Sequence, residues 1–354
     1  MLAWVRSELQ ELSAYHLQAI DPHQIKLDAN ESPLDLPDHL KAKLQAVVGA
    51  IPAHRYPDGV YRDLKQAVAD YSRVPLGWVS LGNGSDELIR SILIVAGVGQ
   101  GEIVVAEPTF SMYGILAQSL GIRVNKIARH PDWSIDLEQA QGVMAQTNRG
   151  VLFVVHPNSP TGNLLTAGEI SWLESVPESW LVVIDEAYYE FAQTSLVHKL
   201  PEHPNWIILR TFSKALRLAG YRVGYALAQP ETIAYLEKVR LPYNLPVLSA
   251  QAALFALENH PELLADIPAT IERREKIYAE LQQLGLQVWP SRANFLYFRT
   301  GINASMDQLV LAKMAEAGIL LRYTGGGLRL TIGTAAEMAQ CMENLRAVLQ
   351  ALNL

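Results

Sequence analysis

Cysteine is almost missing from this sequence, because Cys341 is the single cysteine among 354 residues. One cysteine cannot form a disulfide within the chain, and it cannot supply a multi-cysteine zinc site. Chains without a disulfide framework are typical of a reducing compartment, so the sequence predicts a cytoplasmic protein. No metal site is predicted from the remaining residues.

Long apolar segments and basic clusters are also missing. No uninterrupted apolar segment approaches the roughly 18 residues of a membrane span. Residues 1–10 carry Arg6 and Glu8 instead of the apolar core of a signal peptide. The net charge is −7, from 29 Lys+Arg against 36 Asp+Glu, and no basic run occurs. The sequence therefore predicts neither a membrane nor a nucleic acid as partner.

What the sequence does contain is typical of a large globular protein. Apolar residues make up 49% and charged residues 18%, and 354 residues suffice for one large and one smaller domain. From residue 79 to residue 228, apolar runs without alternation are separated by helical patterns, which predicts a mostly parallel sheet with helices on both faces. The predicted strands are 79–81, 103–106, 123–127, 151–155, 181–184, 206–209 and 223–228.

The pattern changes near residue 245 and predicts a smaller α+β domain. We expect a large domain over residues 30–245 and a small domain over residues 246–354, with residues 1–29 as an N-terminal segment that joins the small domain. The elements predicted for the small domain are helices 249–259, 261–284, 306–317 and 335–352 and strands 287–289, 295–299, 320–322 and 328–332.

Residues 211–222 (TFSKALRLAGYR) follow a predicted strand and combine one amine with several phosphate-binding groups. Lys214, flanked by short polar and apolar side chains, is the kind of lysine that desolvation turns into an amine nucleophile. Thr211, Ser213 and Arg222 would hold a phosphate beside it. An amine next to a phosphate site is typical of pyridoxal 5′-phosphate, whose aldehyde forms a Schiff base with lysine. The alternative is a solvated loop that binds no phosphate.

Polar side chains after two other predicted strands suit the same cofactor. Asp185 follows residues 181–184, and a buried carboxylate there would keep the pyridine nitrogen protonated; a helix cap is the alternative. Asn158 and Tyr188 are candidates for contacts to the ring 3-hydroxyl. Their alternatives are the turn chemistry of residues 157–162 and core packing. Because ligands bind beyond the carboxyl ends of parallel strands, these side chains should meet at one edge of the sheet.

A glycine-rich turn and an aromatic residue follow two earlier strands. Gly84, Ser85 and Asp86 stand between a strand and a helix, where backbone amides bind phosphate. A cap is the alternative role for Ser85 or Asp86. A dinucleotide-binding fingerprint does not fit, because Glu87 occupies the position of the third glycine. Phe110 could stack on the cofactor ring, with core packing as the alternative.

Three of these segments resemble the fold-type I aminotransferases that use pyridoxal 5′-phosphate: residues 158–162 (NSPTG), 185–188 (DEAY) and 211–214 (TFSK) with Arg222. More narrowly, nearly the whole chain resembles histidinol-phosphate aminotransferases. The resemblance implies a mostly parallel sheet sandwiched by helices and a smaller α+β C-terminal domain. The residues that carry the narrower match are 27–33 (LDANESP), 55–59 (RYPDG), 82–87 (GNGSDE), 293–295 (ANF) and 328–333 (LRLTIG).

The resemblance also implies a role for each matching residue. Lys214 would bind the cofactor aldehyde and carry a proton between Cα and C4′, and Asp185 would pair with the pyridinium. Tyr188 and Asn158 would contact the 3-oxygen. The residues implied to hold the phosphate are Ser85, Asp86, Thr211, Ser213 and Arg222.

Substrate and partner contacts are implied as well. Tyr56 would reach the cofactor phosphate of a neighbouring subunit, which implies a homodimer. Arg329 would bind the substrate α-carboxylate through its planar fork. Arg322 and Tyr15 would contact the side-chain end of the substrate, including its phosphate, and Asn158 would also contact the substrate. For Arg322, a surface position on a strand is the alternative.

The sequence departs from the family pattern at three places. Phe110 stands where the family often has tyrosine, so one hydroxyl is lost. Tyr15 is followed by His16 and Leu17 instead of the frequent x-Pro-Gly, which leaves its alignment open. Residues 323–327 (YTGGG) form a short glycine-rich loop near the expected substrate end, where specificity could change.

The predicted function is transamination between histidinol phosphate and 2-oxoglutarate, giving imidazole-acetol phosphate and glutamate by a ping-pong mechanism in histidine biosynthesis. The alternatives are an aminotransferase for aromatic or other amino acids and a pyridoxal phosphate decarboxylase acting on a phosphorylated amino acid such as phosphothreonine. A cofactor-binding regulatory module would need a DNA-binding segment, and residues 1–29 are too short and insufficiently basic to be one.

Overall fold

The structure, a computed structural model, describes residues 4–10, 23–99 and 101–354. The strands in these residues are β1 (Ile25–Lys26), β2 (Val79–Asn83), β3 (Glu102–Ala106), β4 (Arg123–Ile127), β5 (Gly150–Val155), β6 (Trp180–Asp185), β7 (Trp206–Thr211), β8 (Val223–Leu227), β9 (Gln287–Trp289), β10 (Phe295–Arg299), β11 (Ile319–Leu320), β12 (Arg322–Thr324) and β13 (Gly327–Thr331). The α-helices are α1 (Ser7–Gln10), α2 (Asp38–Gly49), α3 (Arg62–Ser72), α4 (Gly84–Ala96), α5 (Met112–Ser119), α6 (Leu137–Met144), α7 (Ala167–Glu174), α8 (Tyr189–Ala192), α9 (Pro230–Val239), α10 (Val247–Glu258), α11 (His260–Leu263), α12 (Ile267–Gln283), α13 (Ala304–Glu316) and α14 (Ala335–Ala351).

A seven-stranded sheet in the order β2-β8-β7-β6-β5-β3-β4 forms the centre of the larger part. β8 runs antiparallel to both of its neighbours, and the other strand pairs are parallel. β5 is buried along its whole length, as expected for a strand covered on both faces. The predicted mostly parallel sheet is therefore confirmed. The reversed direction of β8 is a feature that the apolar runs did not specify.

Helices cover both faces of this sheet because each strand sends apolar side chains to both sides. Leu152 and Val154 of β5 belong to one buried cluster, and Val151, Phe153 and Val155 belong to the other. The first cluster includes residues of α2, α3 and α10, and the second includes residues of α4, α5 and α9. The carboxyl ends of β5, β6 and β7 lie side by side at one edge.

A second, smaller core surrounds the antiparallel sheet β12-β13-β10-β9. Leu296, Phe298, Leu328 and Leu330 of this sheet pack with buried residues of α12, α13 and α14. β1 pairs in parallel with β11, and Leu27 joins the same core. The predicted smaller α+β part is therefore present, and the chain just after residue 23 lies against it.

Two predicted elements are wrong in detail. The predicted helix 261–284 is two helices, α11 and α12, because Pro268 has no N–H for an interior position and stands in the first turn of α12. The predicted strand 320–322 is also two strands, because β11 pairs with β1 whereas β12 pairs with β13. Among the helices of the described ranges, none has the length and apolarity that crossing a membrane requires.

The predicted division of the chain at residue 245 stays a prediction. α10 follows this position directly, and its residues Ala252, Ala253 and Phe255 pack in the core of the large sheet. α12 contributes Ile277 to the smaller core instead. We therefore propose that the boundary lies between α11 and α12, at residues 264–266.

Candidate active site

The polar residues that follow the central strands line one pocket at the carboxyl edge of the sheet. The strands bring them together because β5, β6 and β7 end side by side. The predicted site residues in the lining are Ser85, Asp86, Phe110, Asp185, Tyr188, Thr211, Ser213, Lys214 and Arg222. Tyr113, Val155, Ser159 and Ala187 also line it.

One end of the pocket is built to hold an anion. Arg222 contacts Asp86 at 3.2 Å and Ser213 Oγ at 3.3 Å. The Thr211 hydroxyl donates to Ser213 Oγ at 2.9 Å. Gly84 begins α4 with a φ of 72°, and a Cβ on it would lie 2.7 Å from Arg222 Nη2. The start of a helix, two hydroxyls and a guanidinium therefore converge, which is the donor set that phosphate requires.

Lys214 supplies the amine of the pocket. Its Nζ donates to the Ala29 carbonyl oxygen at 2.8 Å. Desolvation lowers the pKa of Lys214. The positive charges of Arg329 and Arg222 lower this pKa further, whereas Tyr188 acts in the opposite direction. A lowered pKa enlarges the fraction of neutral amine, the form that acts as a base or a nucleophile.

Asp185 supplies a buried carboxyl. Its Oδ1 accepts the Ala187 backbone N–H at 3.0 Å, and its Oδ2 accepts the Tyr113 hydroxyl at 2.6 Å. Burial raises the pKa of Asp185 to about 6, although both hydrogen bonds favour the charged form. A cation placed against this carboxylate would offset the effect of burial, and a pyridinium N–H is such a cation.

Tyr113 is a site residue that the sequence patterns did not reveal. It is fully buried in α5, stacked on Phe153 at 4.6 Å and edge-on to Phe110 at 5.5 Å. Burial raises the pKa of Tyr113 well above its ordinary value, so the residue donates to Asp185 as a neutral phenol. Tyr113 and Asp185 are 72 residues apart, and no local motif joins them. The one feature of the sequence that could have indicated Tyr113 is its position three residues after Phe110, on the helix that follows β3.

Tyr188 is held by Asn30, a second residue of the site that the sequence patterns do not reveal. Asn30 Nδ2 donates to the Tyr188 hydroxyl at 3.0 Å, and the Tyr188 ring lies edge-on to Phe295 at 5.1 Å. Asn30 belongs to residues 27–33, one of the segments that resemble histidinol-phosphate aminotransferases. That resemblance does not predict its contact with Tyr188. The position of Tyr188 in the pocket lining suits the predicted contact with a cofactor oxygen, which stays a prediction.

Asn158 lies beside the pocket and is not part of the lining. Its Nδ2 donates to the Pro108 carbonyl at 3.0 Å and to Thr161 Oγ1 at 2.6 Å. Its Oδ1 accepts the Thr109 hydroxyl at 2.9 Å. Asn158 therefore connects the loop after β3 to the loop after β5, in keeping with turn chemistry. Its predicted contacts with cofactor and substrate stay predictions.

The two predicted substrate arginines lie opposite each other in the small sheet. Arg322 of β12 pairs with Arg329 of β13, so their side chains leave the same face of the sheet. Arg329 donates to Ser159 Oγ at 3.0 Å and to the Asp28 carbonyl at 2.6 Å. Its guanidinium carbon lies 5.5 Å from the ring centre of Phe295. Because Ser159 lines the pocket, Arg329 adds a positive group beside it.

The glycine-rich loop after Arg322 packs closely against the same rim. Gly325 has a φ of 59°, and a Cβ on it would lie 2.5 Å from Pro108 and 3.1 Å from Pro160. The Tyr297 hydroxyl donates to the Gly325 carbonyl at 2.6 Å. Glycine at this position lets the small sheet approach the two loops that Asn158 connects.

The two predicted tyrosines of the N-terminal part, Tyr56 and Tyr15, have no described contact with this pocket. Tyr56 is 80% exposed and stacks on Tyr243 with ring centres 4.6 Å apart, and it is not among the lining residues of its own chain. Tyr15 lies outside the described residues. The predicted contacts of both tyrosines stay predictions.

The set of groups in the pocket fits pyridoxal 5′-phosphate. The anion end suits the phosphate, Lys214 suits the aldehyde and the buried Asp185 suits the pyridine nitrogen. The close approach of Gly84 to Arg222 is part of this fit, because any larger residue would push a Cβ into the anion cradle. In the described part of the chain, no group of three or more His, Cys, Asp or Glu side chains could hold a metal ion.

Comparison with known proteins places this pocket in a family. The family described as aminotransferase class I and II matches residues 22–345. The chain belongs to this family. This aminotransferase is 51% identical over 354 residues to a histidinol-phosphate aminotransferase of Synechococcus sp. (strain JA-2-3B'a(2-13)), with 99% of each chain covered. It is 50% identical over 355 residues to a histidinol-phosphate aminotransferase of Synechococcus sp. (strain JA-3-3Ab), again with 99% of each covered.

The fold of this aminotransferase is similar to that of a solved structure, histidinol-phosphate aminotransferase from Sinorhizobium meliloti in complex with pyridoxal 5′-phosphate. The TM-score is 0.89 and the sequence identity 24%, with 99% of each chain covered. Family membership confirms the predicted enzyme class and the predicted cofactor, pyridoxal 5′-phosphate, and the likeness to the solved structure confirms the predicted fold.

Proposed function

We propose that this aminotransferase interconverts histidinol phosphate and imidazole-acetol phosphate in histidine biosynthesis, with 2-oxoglutarate and glutamate as the second pair of substrates. The observation that carries the proposal is the convergence of Lys214, Asp185 and Arg222 on one pocket that the arginine-bearing small sheet adjoins. Identity of about one half to histidinol-phosphate aminotransferases over the full length supports the choice of substrate.

Residues of the chain move the proton that transamination transfers. Pyridoxal 5′-phosphate supplies, when bound, an aldehyde that takes the amino group and a ring that accepts the electrons of the reacting carbon. Nζ of Lys214, whose pKa desolvation lowers, would accept the proton that leaves the substrate Cα and would later give it up again. Asp185 would hold the pyridine nitrogen in its protonated form, because a buried carboxylate strongly favours an adjacent cation.

Other residues in and beside the pocket would bind and orient the cofactor. Tyr188 and Asn158 would contact the ring 3-oxygen, and Phe110 would stack on the ring. Asp86 contributes its backbone amide and orients Arg222 through their ion pair. The residues proposed to hold the phosphate are Gly84, Ser85, Asp86, Thr211, Ser213 and Arg222.

Two arginines bind the anionic groups of the substrates. Arg329 binds the α-carboxylate of glutamate through its planar fork. Arg322 binds the phosphate of histidinol phosphate, and Tyr15 and Asn158 contact the same substrate. Like charges that face each other on paired strands destabilise the sheet, and an anionic substrate relieves that repulsion.

The proposed working unit is a homodimer in the cytoplasm. Support comes from exposed apolar side chains near the predicted contact of Tyr56 with the neighbouring subunit. Val60 is 63% exposed and Leu241 is 69% exposed, and such residues are typical of interfaces when they cluster. The single cysteine, Cys341, is buried and suits a reducing compartment.

A panel of amino acceptors tests the proposed substrate. The purified enzyme, saturated with pyridoxal 5′-phosphate, is assayed with glutamate and with imidazole-acetol phosphate, phenylpyruvate or other keto acids. We expect kcat/KM for imidazole-acetol phosphate to exceed that for each keto acid by about tenfold or more, the effect of one charge-assisted contact to phosphate. The variant Arg322→Gln should remove most of this preference and change the phenylpyruvate reaction little.

Two outcomes would contradict the proposal. A higher kcat/KM for phenylpyruvate would overturn the substrate assignment and leave the aminotransferase class intact. Release of CO2 from phosphothreonine without a keto acceptor would identify a decarboxylase.

A further inference from the structure

Residues 28–30 form a segment, here named the strap, that crosses between the small sheet and the pocket. The Asp28 carbonyl accepts a hydrogen bond from Arg329 Nη2 at 2.6 Å, and the Ala29 carbonyl accepts one from Lys214 Nζ at 2.8 Å. Asn294 Nδ2 donates to the Asn30 carbonyl at 3.1 Å. The strap therefore contacts the amine of the pocket directly.

Asn30 adopts a backbone conformation that few residues tolerate. Its φ is 54°, in the left-handed region, where asparagine is among the least strained residues after glycine. The residue is 1% exposed, so its side-chain amide must be satisfied by protein groups. Both ends of that amide make hydrogen bonds, to Thr331 and to Tyr188.

The hydrogen bonds of Thr331 fix which way the Asn30 amide points. Thr331 Oγ1 accepts the Asn30 backbone N–H at 2.9 Å, so its single proton is available as a donor. Thr331 Oγ1 lies 3.1 Å from Asn30 Oδ1 and donates to it. The amide nitrogen of Asn30 must then face Tyr188, at 3.0 Å.

This orientation determines the role of the Tyr188 hydroxyl. An amide nitrogen only donates, so the Tyr188 oxygen accepts from Asn30, and the Tyr188 proton has to be given to another acceptor. Tyr188 lines the pocket, so that proton is available to an acceptor bound there. The titratable groups around the phenol are Lys214, Asp185, Tyr113 and Arg329.

We propose that Asn30 is a positioning residue that directs the Tyr188 hydroxyl proton toward the ring oxygen of the cofactor. The chain of donors runs from Thr331 through Asn30 to Tyr188, and each bond favours the next because a polarised donor is a stronger donor. The inference rests on the proposed function, since the acceptor is the 3-oxygen of bound pyridoxal 5′-phosphate.

The first experiment follows the visible absorbance of the cofactor-loaded enzyme against pH. Asn30→Gly keeps the left-handed conformation without strain and removes the amide. Losing a donor makes the ring oxygen more basic, so the midpoint of the absorbance change should rise by about 0.5–1 unit and cofactor affinity should fall about threefold to tenfold. Tyr188→Phe should produce at least the same shift.

The double variant shows whether Asn30 acts on the cofactor through Tyr188 or whether the two residues act independently. In a Tyr188→Phe background, Asn30→Gly should add no further shift, because its only route to the cofactor is the missing hydroxyl. An equal shift in both backgrounds would overturn the inference. So would an unchanged midpoint in Asn30→Gly alone.

A second pair of variants leaves Asn30 in place. Thr331→Val keeps the shape of the side chain and removes the donor, so it should raise the midpoint in the same direction as Asn30→Gly. Thr331→Ser keeps the hydroxyl and should behave as the wild type. Ser32→Ala, which removes a nearby hydrogen bond to the Leu34 carbonyl, is the matched control and should cause no shift. Equal effects of Thr331→Val and Thr331→Ser would overturn the inference.

Thermal unfolding of the cofactor-free protein gives a readout that does not depend on the proposed function. The losses of Tm in Asn30→Gly and Tyr188→Phe should be smaller together than their sum, because both remove the same bond. If the losses of Tm were additive and the wild-type enzyme had normal visible absorbance, the inference about Asn30 would be overturned and the proposed function would stand. A wild-type protein that gives no visible absorbance with pyridoxal 5′-phosphate would overturn the proposed function instead.

Discussion

The charge states of single residues in this pocket are set by burial. Desolvation disfavours the charged form of any group, so it lowers the pKa of the Lys214 amine and raises that of the Asp185 carboxyl. One physical cause thus prepares two groups for opposite roles. The amine becomes a better base, and the carboxyl becomes a group that gains most from an adjacent cation.

The contribution of Asp185 to the stability of the cofactor-free protein should be lost as the pH rises from about 4 to about 6. The pKa of folded Asp185 is about 6 against an ordinary value of 3.8, so the folded protein keeps a proton that the unfolded chain has already released. The contribution of Asp185 to the free energy of unfolding therefore falls across this window by on the order of 3 kcal/mol. Urea unfolding of the wild type and of Asp185→Asn at several pH values measures this, because the difference in free energy of unfolding between the two proteins should change by that amount across the window while the contributions of other groups cancel.

Tyr113→Phe is the matched variant for this measurement. It removes a hydrogen bond that lowers the pKa of Asp185, so the fall in stability should extend to higher pH than in the wild type. Parallel pH profiles for the wild type and Asp185→Asn would contradict the raised pKa.

A buried ion pair between Arg210 and Glu186 connects β7 to the end of β6 beside the pocket. Arg210 of β7 donates from Nε and Nη2 to Glu186 Oε2, at 3.0 and 2.9 Å, and from Nη2 to Ser195 Oγ at 2.7 Å. Its guanidinium lies 3.7 Å from the ring centre of Tyr189. Glu186 directly follows Asp185, so this pair also fixes the end of the strand that carries the carboxyl of the pocket.

Removing one partner of this pair should be strongly destabilising. Glu186→Ala leaves Arg210 buried without its carboxylate, and we expect a loss of about 3–5 kcal/mol in the free energy of unfolding. Lys313→Ala is the control, because the side chains of Lys313 and Glu316 in α13 are 46% and 64% exposed. It should change stability by less than about 1 kcal/mol. Similar losses in both variants, measured by urea unfolding, would contradict the importance of burial.

The whole molecule brings two parts of the chain to one site. Residues 28–30 hold Lys214 and Tyr188 on one side and receive hydrogen bonds from Arg329 and Asn294 of the small part on the other. Any movement of the small part would therefore displace the hydrogen-bond partners of Lys214 and Tyr188.

The proposed dimer predicts that two defective chains restore each other. Tyr56→Ala and Lys214→Ala should each be strongly impaired, and Lys214→Ala should also lose the visible absorbance of the bound cofactor. After co-expression, a mixed dimer contains one site with both the lysine and the neighbouring tyrosine intact. About half of the dimers are mixed, so activity should return to about a quarter of the wild-type value per site.

A control pair makes this mixing experiment decisive. Lys214→Ala and Asp185→Asn alter residues of one pocket in one chain, so every site of their mixed dimer carries a defect and no activity should return. If Tyr56→Ala and Lys214→Ala also failed to restore activity, the proposed reach of Tyr56 into the neighbouring subunit would be wrong.

The sequence by itself determined the strands of the large sheet and most of the pocket. β5, β6 and β7 are covered on both faces, so they consist mainly of apolar residues, with the polar Asp185, Arg210 and Thr211 only at the carboxyl ends of β6 and β7. Polar residues that follow such runs, including Asp185 and Lys214, must then lie at the edge of the sheet. The apolar run before each of these residues and the turn or helix pattern after it were sufficient to identify them from the sequence.

Only the tertiary structure decided which residues support that pocket. Tyr113 meets Asp185 across 72 residues, and Asn30 meets Thr331 across 301 residues. The direction of β8 depends in the same way on packing. No periodicity or motif encodes such contacts, because each side chain alone is equally suited to a core, and its partner is set by how distant segments fold together.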